Sequence, residues 1–252
     1  MTSSNITIFH LSDIHVGEDG VSVNDLRIAL DRIEKRARDT SSPLVVVTGD
    51  LTTEGLREEY EGIASAFDGF AIPSVIIPGN HDERNYGSAI FEEFFGERFK
   101  TYEDENIALF AADSAEPDND AGHVGRVKYN EIRDFFNRSK DKVRIFALHH
   151  HLVPVPHTGR EQNVVEDAGD VLAVLEGAKC SIVLNGHRHV PWVWKLGDMI
   201  LCSTGTLLSK RVRGAATQLH SRIEIMDKHV LITLCQKDGI EKVFSKVSLN
   251  IL

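Results

Sequence analysis

The chain of 252 residues is 42% hydrophobic and 26% charged, a balance that builds a globular protein with a sizeable core. A formal net charge of −10 argues against a protein whose main business is gripping nucleic-acid backbones. No apolar stretch approaches the roughly 20 residues needed to cross a bilayer, and the N-terminus, MTSSNITIFH, lacks the basic and apolar regions of a secretion signal.

Residues 6–13, ITIFHLSD, open the chain as an apolar strand. A helix is expected over 22–39, where Leu26, Ile28, Ala29, Leu30 and Ile33 share one broad face. PLVVVTGD at 43–50 and PSVIIPGN at 73–80 are short and continuously apolar, the pattern of strands buried on both faces. Helices are expected at 54–68 and 87–95 and a strand at 106–112, followed by an acidic loop, DSAEPDNDAGH. Helix 128–139, strand 143–149, helix 166–178 and strand 181–185 continue the alternation. Beyond Pro191 the character changes. Residues 192–205 carry a Gly-Asp turn between apolar runs, and segments 219–226 and 229–236 form a second hairpin turning near Asp227-Lys228. With no linker, repeat or low-complexity tract, residues 1–252 read as one domain. Its sheet core is covered by helices, and the last strands either extend that core or form a second sheet packed on it.

Five apolar strands end in a restricted set of polar residues. The tips are Asp13-Ile14-His15, Gly49-Asp50, Gly79-Asn80-His81-Asp82, His149-His150-His151 and Gly186-His187-Arg188-His189. If the strands lie side by side, the tips converge beyond their carboxyl ends, where α/β sheets bind ligands. Asp13/His15 and His187/His189 are i,i+2 pairs, and in extended backbone both members of such a pair point the same way. Imidazole and carboxylate donors without a thiolate suit Zn²⁺, Fe or Mn²⁺ and disfavour a structural zinc site. The set exceeds the needs of one ion and suffices for two if a carboxylate bridges them. Paired metals roughly 3.5–4 Å apart are a known device for phosphoryl transfer. Glycines 49, 79 and 186 permit sharp turns and close backbone approach where ligands must be presented.

In order and approximate spacing these motifs resemble the signature of calcineurin-like metallophosphoesterases, over about residues 6–206. The resemblance implies an α/β fold, a four-layer α/β/β/α sandwich with a bimetal site at the carboxyl ends of the strands. It implies two divalent transition-metal ions (Mn, Fe or Zn). Asp13, His15 and His189 are expected to hold the first, and Asn80, a histidine of the 149–151 cluster and His187 the second, with Asp50 bridging. His81 is expected near the phosphate as electrostatic partner or proton donor, oriented by Asp82. Family members usually place a proline two residues after the fourth-motif ligand, whereas Pro154 is displaced here. Setting HHHLVPVP beside relatives with a triple histidine and then proline selects His150, with His149 the alternative. His151 alternates away from His150 and either approaches substrate or packs.

The remaining polar residues take plainer readings. Asp113 caps a loop, His10 is a hydrogen-bonded core histidine, and Arg188 points away from the metals. His123 and His157 are exposed loop residues, the second close enough to the fourth motif to reach substrate. Lys210, Arg211 and Arg213 in SKRVRG form a solvated turn or, folded over the cleft, a site favouring doubly charged monoesters. Cys180, Cys202 and Cys235 sit singly on apolar segments, as buried thiols of a reducing, cytoplasmic compartment do. The resemblance is to the compact cyclic-nucleotide and glycerophosphodiester phosphodiesterases, so a small phosphoester, in particular a phosphodiester, is the expected substrate. A nuclease or a phosphomonoesterase of the same fold is the alternative, and a non-catalytic scaffold the alternative of another class. Size and acidity disfavour a nucleic-acid partner, no membrane contact is expected, and nothing specifies an oligomeric state.

Overall fold

The computed structural model describes residues 6–156, 158–159, 163–213, 217–226 and 228–249. His157 and Asp227 lie outside the described residues. Strands β1 (Ile6–Leu11), β2 (Pro43–Thr48) and β3 (Ser74–Ile77) are parallel neighbours, linked through helices α1 (Val23–Ala37) and α2 (Arg57–Phe67). A 3₁₀ turn (Arg84–Tyr86) and α3 (Gly87–Phe95) lead to β4 (Lys100–Glu103) and β5 (Ile107–Ala111). A small hairpin, β6 (Ala115–Glu116) and β7 (Asn119–Gly122), precedes α4 (Arg126–Arg138), β8 (Val143–Ala147), α5 (Ala168–Gly177) and β9 (Ile182–Asn185). The chain ends in β10 (Trp192–Leu196), β11 (Met199–Ser203), β12 (Leu219–Met226), β13 (His229–Gln236) and β14 (Glu241–Ser248).

Apart from the β6–β7 hairpin, these strands form two six-stranded sheets, ordered β14-β13-β12-β1-β2-β3 and β10-β11-β9-β8-β5-β4. The five motif-bearing strands therefore do not lie side by side in one sheet. Three belong to the first sheet and two to the second, and their tips meet across the gap. The C-terminal strands extend both sheets and do not form a second one by themselves. β12 pairs antiparallel with β1, while β11 pairs parallel with β9.

The alternation of strand side chains makes four layers. Ile6, Ile8, Leu44 and Val46 face the second sheet and pack against Ile107, Leu109, Ile145, Ala147, Ile182 and Leu184. The intervening Phe9, Leu11, Val45 and Val47 face outward onto Leu26, Leu30, Ile33 and Ile63 of α1 and α2 and Phe91 of α3. On the other side Phe110, Phe146 and Val183 meet Ile132 and Phe136 of α4 and Val171 and Leu175 of α5. Each such fully buried side chain contributes about 1.5–3 kcal/mol relative to an exposed one. This is the α/β/β/α sandwich, and it explains the unbroken apolar runs, since both faces of each central strand are covered.

Helix α1 shows how local chemistry sets an element's phase. Ser22 accepts from the Asp25 amide at 3.1 Å while its own amide donates to the Asp25 carboxylate at 3.1 Å, a reciprocal cap. The buried positions are Leu26, Leu30, Ile33 and Ala37, and Ile28, expected on that face, is 43% exposed. Strands β4 and β14 escape an apolar-run reading because they are sheet edges with largely solvent-facing side chains. The acidic loop folds into the β6–β7 hairpin, which has too few apolar residues to announce itself. Among the described residues no helix is long and apolar enough to cross a membrane. Ser22→Ala is expected to lower the unfolding free energy by about 1 kcal/mol in urea titrations.

Candidate metal centre

All five motifs gather at the carboxyl ends of β1, β2, β3, β8 and β9. Asp13 follows β1 by two residues, its amide donating to the Gly49 carbonyl at 3.0 Å, and His15 repeats the link to the Asp50 carbonyl at 3.0 Å. The loops after β1 and β2 thus continue as a hydrogen-bonded ladder beyond the sheet. Gly186 and Gly79 are required by proximity. A Cβ on Gly186 would lie 1.8 Å from Ser12 Oγ, and one on Gly79 would lie 2.3 Å from Asp50 Oδ1.

The i,i+2 pairs do converge, but not through extended backbone. Asp13, His15, Asp50, His187 and His189 all adopt left-handed conformations, with φ of 55°, 53°, 53°, 70° and 56°. For residues other than glycine this costs about 1–3 kcal/mol each. Aspartate and histidine tolerate the region better than most residues. Five strained positions in one cluster persist only because the surrounding sandwich determines them.

Two sets of donor atoms result. In the first, Asp13 Oδ1 lies 3.2 Å from His189 Nε2 and 3.9 Å from His15 Nε2, and the two histidine nitrogens are 3.3 Å apart. In the second, Asn80 Oδ1 lies 3.1 Å from both His149 Nε2 and His187 Nδ1. Asp50 stands between them, with Oδ2 3.5 Å from His15 Nε2 and Oδ1 3.4 Å from His149 Nε2. Of the 149–151 cluster it is His149, and not the expected His150, whose Nε2 stands among these donor atoms. His150 instead turns Nδ1 to Ser114 Oγ at 2.9 Å and Nε2 to the Asp120 carbonyl at 3.3 Å. His151 is buried.

Supporting groups orient the rings. His149 Nδ1 donates to the Thr48 carbonyl at 2.6 Å and His189 Nδ1 to the Arg211 carbonyl at 2.7 Å, which leaves each Nε2 lone pair directed at the cluster. Asn80 Nδ2 donates to Asp120 at 2.9 Å, so the amide oxygen is the atom presented inward. Burial drives His15 and His187 toward the neutral form, that of His15 to a pKa of about 3. Burial opposes charge on His149 too, but Asp50 and Asp13 outweigh it and lift its pKa to about 9. The same carboxylates are placed to stabilise a metal cation. Asp13 Oδ1, fully buried and without a hydrogen-bond donor, is the atom that most needs one. The donor set and its burial fit divalent metals.

His81 adds a ring beside this set. Its amide donates to Asp50 Oδ1 at 2.9 Å, its Nδ1 to the Thr53 carbonyl at 2.7 Å, and its ring meets His15 edge-on at 4.7 Å. Asp82 does not orient it, contrary to the sequence expectation. Asp82 instead accepts from the amides of Leu51, Thr52 and Gly79 at 3.0, 2.9 and 2.8 Å and from Thr52 Oγ1 at 2.7 Å. It ties the loop after β2 to the loop after β3. Burial and the Asp50 charge raise its pKa to about 7 against those bonds.

Of the plainer readings, His10 bonds Thr48 Oγ1 at 3.0 Å in the core, and Asp113 accepts from the Ala115 amide and from Arg98 at 2.8 Å each. Arg188 is buried and reaches the Thr158 carbonyl, away from the cluster. His123 is exposed beside Glu116 at 2.7 Å. The three cysteines are free and buried. Lys210, Arg211 and Arg213 are exposed as expected of a solvated turn, yet the turn lies against the first donor set through Arg211.

Residues 6–191 match the family described as calcineurin-like phosphoesterase. The chain belongs to this family. Membership carries metal-dependent phosphoester chemistry with it, from a family that uses two metals. The phosphoesterase is 24% identical over 221 residues to a probable cyclic nucleotide phosphodiesterase of Xenorhabdus bovienii, covering 83% of this chain and 89% of that one. It is 24% identical over 148 residues to the 3',5'-cyclic adenosine monophosphate phosphodiesterase CpdA of Escherichia coli, over 58% of this chain and 54% of that one. A solved dimetal phosphatase of Danio rerio shares its fold, with a TM-score of 0.74 at 9% identity over 98% of this chain and 99% of that one.

The placement of Asp82 in the phosphoesterase yields a test. In Asp82→Asn the amide nitrogen must oppose at least one backbone N–H whichever way it turns, so about 2 kcal/mol of stability should be lost. Urea titration of the variant measures this. A residue acting only through His81 would leave the midpoint unchanged.

Proposed function

We propose that the chain is a binuclear-metal phosphodiesterase, one domain over residues 1–252, acting on small phosphodiesters such as cyclic nucleotides or glycerophosphodiesters. The observation that carries the reading is Asp50, whose two oxygens face separate donor sets at 3.5 and 3.4 Å. In this reading Asp13, His15 and His189 hold one ion, Asn80, His149 and His187 the other, and Asp50 both. Bound there, the ions supply Lewis acidity toward the phosphoryl oxygens and lower the pKa of a water. The chain's own groups do the rest. Left-handed backbone and carbonyl partners pre-position the imidazoles, so little reorganisation accompanies reaction. With Nδ1 held on the Thr53 carbonyl, His81 turns Nε2 to the substrate, where it donates to a non-bridging oxygen or to the departing alkoxide. The names of the two bacterial relatives support the diester substrate.

Elemental analysis of the saturated protein should give two ions per chain, and Asp50→Asn should lower the occupancy of both. His81→Ala should keep most of the metal and lose activity on the order of 10²–10⁴-fold. Loss of both ions from that variant would make His81 a ligand.

Substrate class is checked separately. The Mn²⁺-loaded enzyme should hydrolyse an activated aryl phosphodiester with higher kcat/KM than the matching monoester, and should open a cyclic nucleotide detectably. A monoester preference of about tenfold would overturn the diesterase reading and keep the phosphoesterase.

A further inference from the structure

Arg211 touches both imidazoles of the first donor set at their outer nitrogens, and it does so with opposite chemistry. Its carbonyl accepts from His189 Nδ1 at 2.7 Å, while its guanidinium Nη2 lies 2.9 Å from His15 Nδ1. The loop carrying it is pinned by Glu18, whose carboxylate accepts from Ser209 Oγ at 2.6 Å, the Lys210 amide at 2.8 Å and Arg211 Nε at 3.1 Å. The arginine side chain is 48% exposed, so it stands at the rim of the cluster and not inside it.

A guanidinium can only donate. At His15 it therefore requires Nδ1 to accept, which places the imidazole proton on Nε2. Nε2 is the nitrogen facing Asp13, Asp50 and His189. An ion held through Nε2 needs that lone pair and leaves the proton of the neutral ring on Nδ1, opposite the guanidinium. The two demands on His15 exclude one another. No such conflict arises at His189, where a carbonyl accepts the Nδ1 proton and favours the ligating tautomer. One residue thus supports one ligand with its backbone and competes for the other with its side chain.

We infer that Arg211 is a substrate-positioning residue: ligation by His15 displaces its guanidinium, which remains anchored to Glu18 through Nε and turns its free Nη donors to an anionic oxygen of the bound phosphoester. The inference rests on the metal-centre reading above and adds to it a recognition group for phosphate charge. Displacement costs little, because the group is half in solvent and keeps its Glu18 partner. Once released from His15, the two Nη groups form a planar, two-pronged donor that suits a phosphoryl oxygen pair.

The test compares Arg211→Ala with wild type and with Lys210→Ala, a neighbouring cation whose side chain the inference does not use. Arg211→Ala keeps the carbonyl that orients His189. Titration calorimetry with Mn²⁺ should show first-site affinity unchanged or tightened, since a competitor for His15 is gone. Inorganic phosphate binding to the Mn²⁺-loaded protein should weaken about tenfold or more in Arg211→Ala, and less than twofold in Lys210→Ala. A tenfold fall in metal affinity would make Arg211 a purely structural support and overturn the inference. So would unchanged phosphate binding, or an equal loss in both variants, which would mean diffuse charge. If wild type binds phosphate but hydrolyses no ester, the functional reading fails while a selective loss in Arg211→Ala still sustains the anion-binding role.

Discussion

Asp50 lies where the two halves of the fold touch. Its carboxylate follows a strand of the first sheet, yet one oxygen addresses His15 of that sheet and the other addresses His149 of the second. It is almost wholly buried, with its Oδ1 also accepting from the His81 amide. A buried carboxylate is tolerable only when compensated, and here the compensation comes from both sheets at once. The apolar interface between the sheets sets how far apart the two donor sets stand. Asp82 does the same at one remove, by tying the loops that carry Asp50 and His81.

Much of this was legible in the sequence because the geometry of strands is so restrictive. Unbroken apolar runs ending in Asp, Asn and His located the strand ends, and their type excluded a thiolate site. What the runs did not disclose was phase. A strand buried on both faces carries no polar alternation to say which residues look toward the partner sheet. That is why His149 and His150 were hard to separate. In the structure Val143, Ile145 and Ala147 face the other sheet, and His149 continues that phase while His150 breaks it. Packing against the other sheet, not the local motif, decides which imidazole faces the donor set.

The groups that were not legible share a different character. The carbonyls of Thr48, Thr53 and Arg211 orient rings, but a carbonyl belongs to every residue and leaves no mark on composition. Asp120 acts on Asn80 from a hairpin read as a plain acidic loop. Asp82 misled for the opposite reason. The family resemblance implied that it orients His81, whereas the tight turn of the loop sends it to backbone amides instead.

The left-handed backbone at five of the donor residues bears on how such a protein can change over generations. Replacing a donor there by glycine removes a ligand and relieves a strained φ in the same step. Loss of the centre is therefore a route that the fold itself rewards, and only selection on catalysis opposes it. Return is harder, because any residue restored at those places must again accept the strain. Chemistry on this scaffold is easily shed and slowly regained, while the sandwich beneath it endures.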